Sequence, residues 1–151
     1  AFLQGPYQAN RKRMSDQLRK KGFIPLKEPY TEMRSFMHVG EGGEEETTEE
    51  VLDVSGVNAI VDWVFLELRS ALDSTAVVAT KSALIQRDGD IVDVDGVSPI
   101  SFNVQGEYYL CIKHRNHLGV MIHNYDISLI LHLLIANHHS KNTSVFRSIR
   151  F

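Results

Sequence analysis

The stretch "AIVDWVFLELRS", residues 59–70, decides the fold. Val61, Trp63 and Phe65 fall on one face of an extended chain, and Val64, Leu66 and Leu68 on the other. A strand that is apolar on both faces is central in its sheet or tightly covered. Before it, "SGVN" (55–58) is a turn signal and "VLDV" (51–54) reads as another short strand. After it, "AVVATKSALIQ" (76–86), "PISFNV" (99–104) and "EYYLCIKH" (107–114) read as strands, the last with Tyr108, Leu110 and Ile112 on one face. The dipeptides Asp88-Gly89 and Asp95-Gly96 mark turns between short strands spaced roughly 8–12 residues apart. We therefore expect a mainly β chain: an antiparallel β-sandwich, immunoglobulin-like or prealbumin-like, with one short N-terminal helix.

The helix is expected over "MSDQLRKKGF" (14–23). Lys20 and Lys21 sit where the helix dipole favours cations, and Gly22 suits the left-handed position past the helix end. Phe23 should then fold back on Leu18. Pro25 and Pro29 in "FIPLKEPY" stop any continuation and imply an extended surface connection. The segment 10–21 holds six Lys/Arg and "EGGEEETTEE" (41–50) holds six Glu. The first reads as a solvated helix tail and the second as a solvated loop, because consecutive Glu residues without ordered spacing rarely build a cation cage. The two blocks roughly cancel and are expected to face each other.

Length and composition narrow the class. With 151 residues, 43% hydrophobic and 23% charged, the chain suits one globular domain with a sizeable core. A net charge of −3 argues against a general nucleic-acid binder, which needs a basic face. Cys111 is the only cysteine, so neither an intrachain disulfide nor a Cys-based metal site is expected. The longest apolar run, "ISLILHLLI" (127–135), falls well short of the ~18 residues that span a bilayer, so no membrane span is expected. "AFLQGPY" at the start already reads as strand and turn, which suggests an excised or mature segment that begins inside a domain.

Two segments carry candidate sites. "RDGDIVDVDG" places Asp88, Asp90, Asp93 and Asp95 close together, and calcium prefers such oxygen clusters. An EF-hand register fails: with Asp93, Asp95 and Gly96 as its third, fifth and sixth positions, Ile91 and Phe102 would have to be ligands. The competing reading is a hairpin whose aspartates accept backbone N–H groups in the turns. "YYLCIKHRNHLGVM" (108–121) ends in a polar cluster, His114, Arg115, Asn116 and His117. The two histidines could contribute to a zinc site completed by His123, His38 or an aspartate, although on one strand their spacing points them to opposite faces. Otherwise the cluster satisfies backbone groups at a strand end. Asp62 is the expected buried carboxylate, with Arg87 or Arg115 as its donor. No Ser/His/Asp order, Gly-rich phosphate loop or paired-carboxylate motif stands out.

Several of these stretches together, "FLQGPY", "DQLRKKGFIPLKEPY", "VNAIVDWVFLELRS", "SALIQRDGDIVDVDGVSPISF" and "YYLCIKHRNHLGVM", carry a resemblance that runs from residue 2 to 121. They resemble a repeated β-rich module of large secreted or cell-surface proteins of Bacteroidota-type bacteria, haemagglutinin-like or uncharacterised. The resemblance implies an extracellular module that neighbours other domains of the same chain and brings no catalytic residues. Residues 44–50 are more acidic than the Gly-rich loop of that family. After Met121 the family's small, polar residues and acidic, Gly/Asp-rich calcium-like segment are missing. We therefore divide the chain into a β-sandwich module, 1–121, and a divergent or frame-shifted tail, 122–151, that completes or flanks it. The expected function is a non-catalytic, cofactor-free bacterial surface module, with Ca²⁺ as the one candidate cofactor. It would adhere to a glycan or another host or cell-surface ligand. The alternatives are a structural spacer without a ligand and a metal-dependent enzyme using His114, His117 and an aspartate. Exposure of Tyr7, Tyr30 and Tyr108 as an aromatic platform would favour binding; their burial would favour the spacer.

Overall fold

The computed structural model describes residues 1–126 apart from 41 and 105, with 123–126 described by backbone alone. The chain is mainly β and forms two antiparallel sheets. A two-stranded ribbon pairs β1 (Tyr7–Gln8) with β2 (Arg13–Met14). A single helical turn, α1 (Gln17–Lys20), and a short helix, α2 (Glu49–Asp53), precede the main sheet. That sheet holds β3 (Ile60–Ser70), β4 (Val77–Gln86), β5 (Ile91–Val92), β6 (Glu107–His114) and β7 (His117–Asp126), in the order β5-β4-β3-β6-β7. Strand β3 is central, as its two apolar faces require, and all of Ile60 to Leu68 is buried.

One irregularity sets which side chains go where. The β3–β4 register runs from Ile60↔Gln86 to Asp62↔Ile85, so Val61 is an extra residue in a β-bulge. Simple alternation assigns Val61 to the Trp63 face. The bulge turns it over, and it packs with Val64, Leu66, Ala83, Ile85 and Ile112. Leu3 and Met14 cover that face from the N-terminal segment, and Ile100, Phe102 and Ile122 pack against it. Ile60 instead joins Trp63, Phe65, Leu84 and Val92 on the opposite face, beneath Ile24, Tyr30, Met33 and Phe36. The buried aromatic residues keep their polar ends satisfied: the Trp63 indole N–H donates to the Pro25 carbonyl (2.9 Å) and the Tyr30 hydroxyl to the Trp63 carbonyl (2.8 Å). Each such side chain, fully buried, stabilises the fold by roughly 1.5–3 kcal/mol.

Three expected elements differ. The N-terminal helix is not formed over 14–23; the chain makes only the turn α1 there. "VLDV" is the end of α2 rather than a strand, because the Thr48 hydroxyl accepts the Val51 N–H and Glu49 and Glu50 suit a helix N-terminus. "PISFNV" makes no strand; Ile100 and Phe102 reach the core from irregular chain. Strand β7 crosses the proposed division at residue 121 and continues to Asp126. The tail 127–151, with the apolar run 127–135, lies outside the described residues. Among the described residues no helix is long and apolar enough to cross a membrane.

Candidate functional site

The β6–β7 hairpin turns through Arg115 and Asn116, so His114 and His117 are cross-strand partners rather than residues on opposite faces of one strand. Their rings meet edge-on, with centroids 4.7 Å apart. The hairpin ends against Asp62, which alternation places on the same face as Val64. Asp62 is buried and accepts four hydrogen bonds from three groups: the Trp63 backbone N–H (2.8 Å), the Arg115 guanidinium on both oxygens (2.8 Å each), and His114 Nε2 (3.2 Å). Of the two arginines expected as its donor, Arg115 is the partner. Arg87 serves Asp16 instead, its Nε 3.6 Å from that carboxylate. An isolated carboxylate here would cost several kcal/mol, so the guanidinium and imidazole are what allow it.

The hydrogen bonds assign the histidine tautomers. His114 Nδ1 accepts the Asn116 N–H (3.1 Å), so Nε2 carries the proton that Asp62 receives. His117 Nδ1 lies 2.9 Å from the same His114 Nδ1 and must donate to it. His117 Nε2 is then a lone-pair acceptor on the side of Gly5, where an added Cβ would come within 3.9 Å of it. Burial and the neighbouring His114 hold the His117 pKa below its usual value, which keeps the ring neutral at pH 7. These residues border a cleft of about 380 Å³. Leu3, Pro6, Leu18 and Val61 give it apolar walls, and Ser15, Gln17, Asn116 and His117 give it polar groups.

The structure places the other candidates elsewhere. Asp95 caps its turn by accepting the Val97 and Ser98 N–H groups (2.9 and 2.8 Å), and Asp88 accepts the Asp90 N–H (3.2 Å). Asp93 accepts from Lys81 Nζ (2.7 Å) and the Val94 N–H (2.8 Å). Tyr30 is wholly buried, Tyr7 is partly exposed against Phe2, and Tyr108 is half-buried. No ion pair joins the basic segment 10–21 to the glutamates of 41–50 among the described residues; Arg19 and Lys20 both pair with Asp16. His38 groups with Glu28 and Glu45 rather than with His114, and His123 is described by backbone alone.

Sequence reading missed a second group. Glu28, His38 and Glu45 bring their ligand-type atoms within 4.8 Å of one another on the Trp63 face of the sheet. The loop that read as solvated thus sends Glu45 inward. No family model, curated protein or solved structure matches the chain.

Proposed function

We propose that the chain is a non-catalytic, β-rich module of a secreted or cell-surface bacterial protein, and that it holds one small polyhydroxy ligand, such as a terminal sugar of a glycan, in the cleft beside the β6–β7 turn. The cleft itself is the observation that carries this reading. Its volume suits a compact ligand, and its apolar walls with convergent Ser15, Gln17, Asn116 and His117 suit a ring with one apolar face and several hydroxyls. A neutral His117 with Nε2 as acceptor would accept a hydrogen bond from a sugar hydroxyl without adding charge. The extracellular setting, and neighbouring domains of the same chain as partners, rest on the resemblance of residues 2–121.

The non-catalytic reading has its own support. A zinc-dependent enzyme built on His114, His117 and Asp62 would disrupt the hydrogen bonds on Asp62, one of them from His114, and the two contacts on His114 Nδ1. We also read the ribbon β1–β2 and the five-stranded sheet as two layers of a small sandwich, since Met14 of β2 packs on the sheet. One observation favours the spacer instead: Tyr30 is fully buried and gives no binding platform.

Amide chemical-shift mapping of residues 1–151 against a panel of monosaccharides tests the assignment. We expect saturable shifts at Leu3, Ser15, Leu18, Asn116 and His117 with at least one sugar, and their loss in Asn116→Ala. A panel that moves none of these amides would leave the spacer as the function.

A further inference from the structure

The Glu28–His38–Glu45 group sits on the opposite face of the sheet from the cleft and is built like a metal site. Strand β4 supplies its floor. Thr80 and Ser82 are polar residues on the face that otherwise carries Leu84, and Ser82 bridges the two carboxylates: its hydroxyl donates to Glu28 (3.1 Å) and its backbone N–H to Glu45 (3.1 Å). Glu28, whose side chain is fully buried, also accepts the Tyr30 and Thr31 N–H groups (2.7 and 3.1 Å), and Glu45 accepts the Gly43 N–H (2.7 Å). Burial works to raise the Glu28 pKa, but these hydrogen bonds outweigh it and hold the carboxyl below its usual value.

The imidazole is oriented in the same way. The Thr80 hydroxyl oxygen accepts the Val39 N–H (2.8 Å) and lies 3.2 Å from both the Val39 carbonyl and His38 Nδ1. All three contacts are satisfied when Thr80 donates to the carbonyl and His38 Nδ1–H donates to Thr80. In the neutral ring, that leaves His38 Nε2 as a lone pair. It is buried, has no hydrogen-bond partner, and points at Glu28 from 3.6 Å. A lone pair facing the buried Glu28 and half-buried Glu45 carboxylates is repulsive unless a proton on Nε2 or a metal cation lies between them. No Lys or Arg side chain pairs with Glu28 or Glu45 among the described residues.

We propose that Glu28, His38 and Glu45 bind one divalent metal ion of the zinc class, with His38 Nε2 and one oxygen of each carboxylate as protein ligands and water in the remaining position. One imidazole and two carboxylates suit such an ion. The Nδ1–H to Thr80 and the donors on both carboxylates are the outer contacts that fix ligand orientation. The ligand atoms already lie within 4.8 Å of one another, and an ion would draw them closer. Gly42 and Gly43 let the loop pack on the His38 ring, where a Cβ would come within 2.7 and 3.1 Å.

The test is equilibrium dialysis of the chelator-stripped full chain against Zn²⁺, with bound zinc counted per chain. Wild type is expected to bind one zinc more than His38→Gln and Glu45→Gln, while His117→Gln keeps that zinc. In wild type the amides of Val39, Gly43 and Ser82 should shift on zinc addition. The idea is overturned if wild type takes up no zinc, if His38→Gln binds as much as wild type, or if those three amides stay still. The amide readout decides the matter even where a variant fails to fold.

Discussion

Asp16 shows how one side chain ties the N-terminal segment to the sheet. It is buried, accepts from Arg19 (2.7 Å) and lies 3.2 Å from Lys20 Nζ, with Arg87 at 3.6 Å. Burial alone would raise its pKa, but the arginine and lysine contacts outweigh that and bring it down to about 2. A carboxyl depressed in the folded state contributes stability above its unfolded value of 3.8, and the contribution is lost as pH falls towards 2. The shift corresponds to about 2 kcal/mol. The stability gap between wild type and Asp16→Asn, measured by urea unfolding, should therefore narrow by about 2 kcal/mol from pH 6 to pH 2. An unchanged gap would show that the contacts do not favour the ionised form. At this scale the sequence was legible in part. Asp62 stands out as a charge inside an apolar strand, and Arg115 is one of the two partners, with Arg87, that the sequence offers for it. Glu28, His38 and Glu45 could not be grouped, because each has an ordinary local setting and only strand β4 brings them together.

Elements were legible where local and tertiary preferences agree. Strands β3, β4 and β6 follow their apolar patterns, and both Asp-Gly turns place glycine at positive φ, +95° at Gly89 and +73° at Gly96. The end of α1 also follows its signals: Gly22 (φ +67°) donates to the Arg19 carbonyl (2.9 Å) and Phe23 to the Leu18 carbonyl (2.9 Å), the pairing of a Schellman ending. A Cβ on Gly22 would meet nothing within 4 Å, so Gly22→Ala would cost only the left-handed backbone, about 1 kcal/mol. Denaturant unfolding should show that loss, and no loss would mean the turn rearranges freely. The failures have a common cause. "VLDV" is a short apolar run that resembles a strand although Thr48 caps a helix there, and at Val61 a bulge reverses the alternation. Neither a bulge nor a cap alters residue composition enough to override period counting.

On the scale of the molecule, the five-stranded sheet separates two polar groups that its apolar faces must accommodate. Near one end, Asp62 is held by Arg115 and His114 and borders the cleft. On the other face, Glu28 and Glu45 are held by Ser82 of β4 and by nearby backbone N–H groups, beside the Thr80-oriented His38. The β6–β7 corner is thus structural first, since it neutralises a carboxylate buried in the central strand, and whatever the cleft binds depends on that arrangement. A double-mutant cycle on Asp62→Asn and Arg115→Gln tests this most directly. Arg115→Gln alone should cost on the order of 3 kcal/mol by leaving a buried charge unpaired, and should cost much less when Asp62 is already Asn, a coupling of about 1–3 kcal/mol. Additive effects, with each single variant near wild-type stability, would contradict the claim that this corner exists to pair the buried carboxylate.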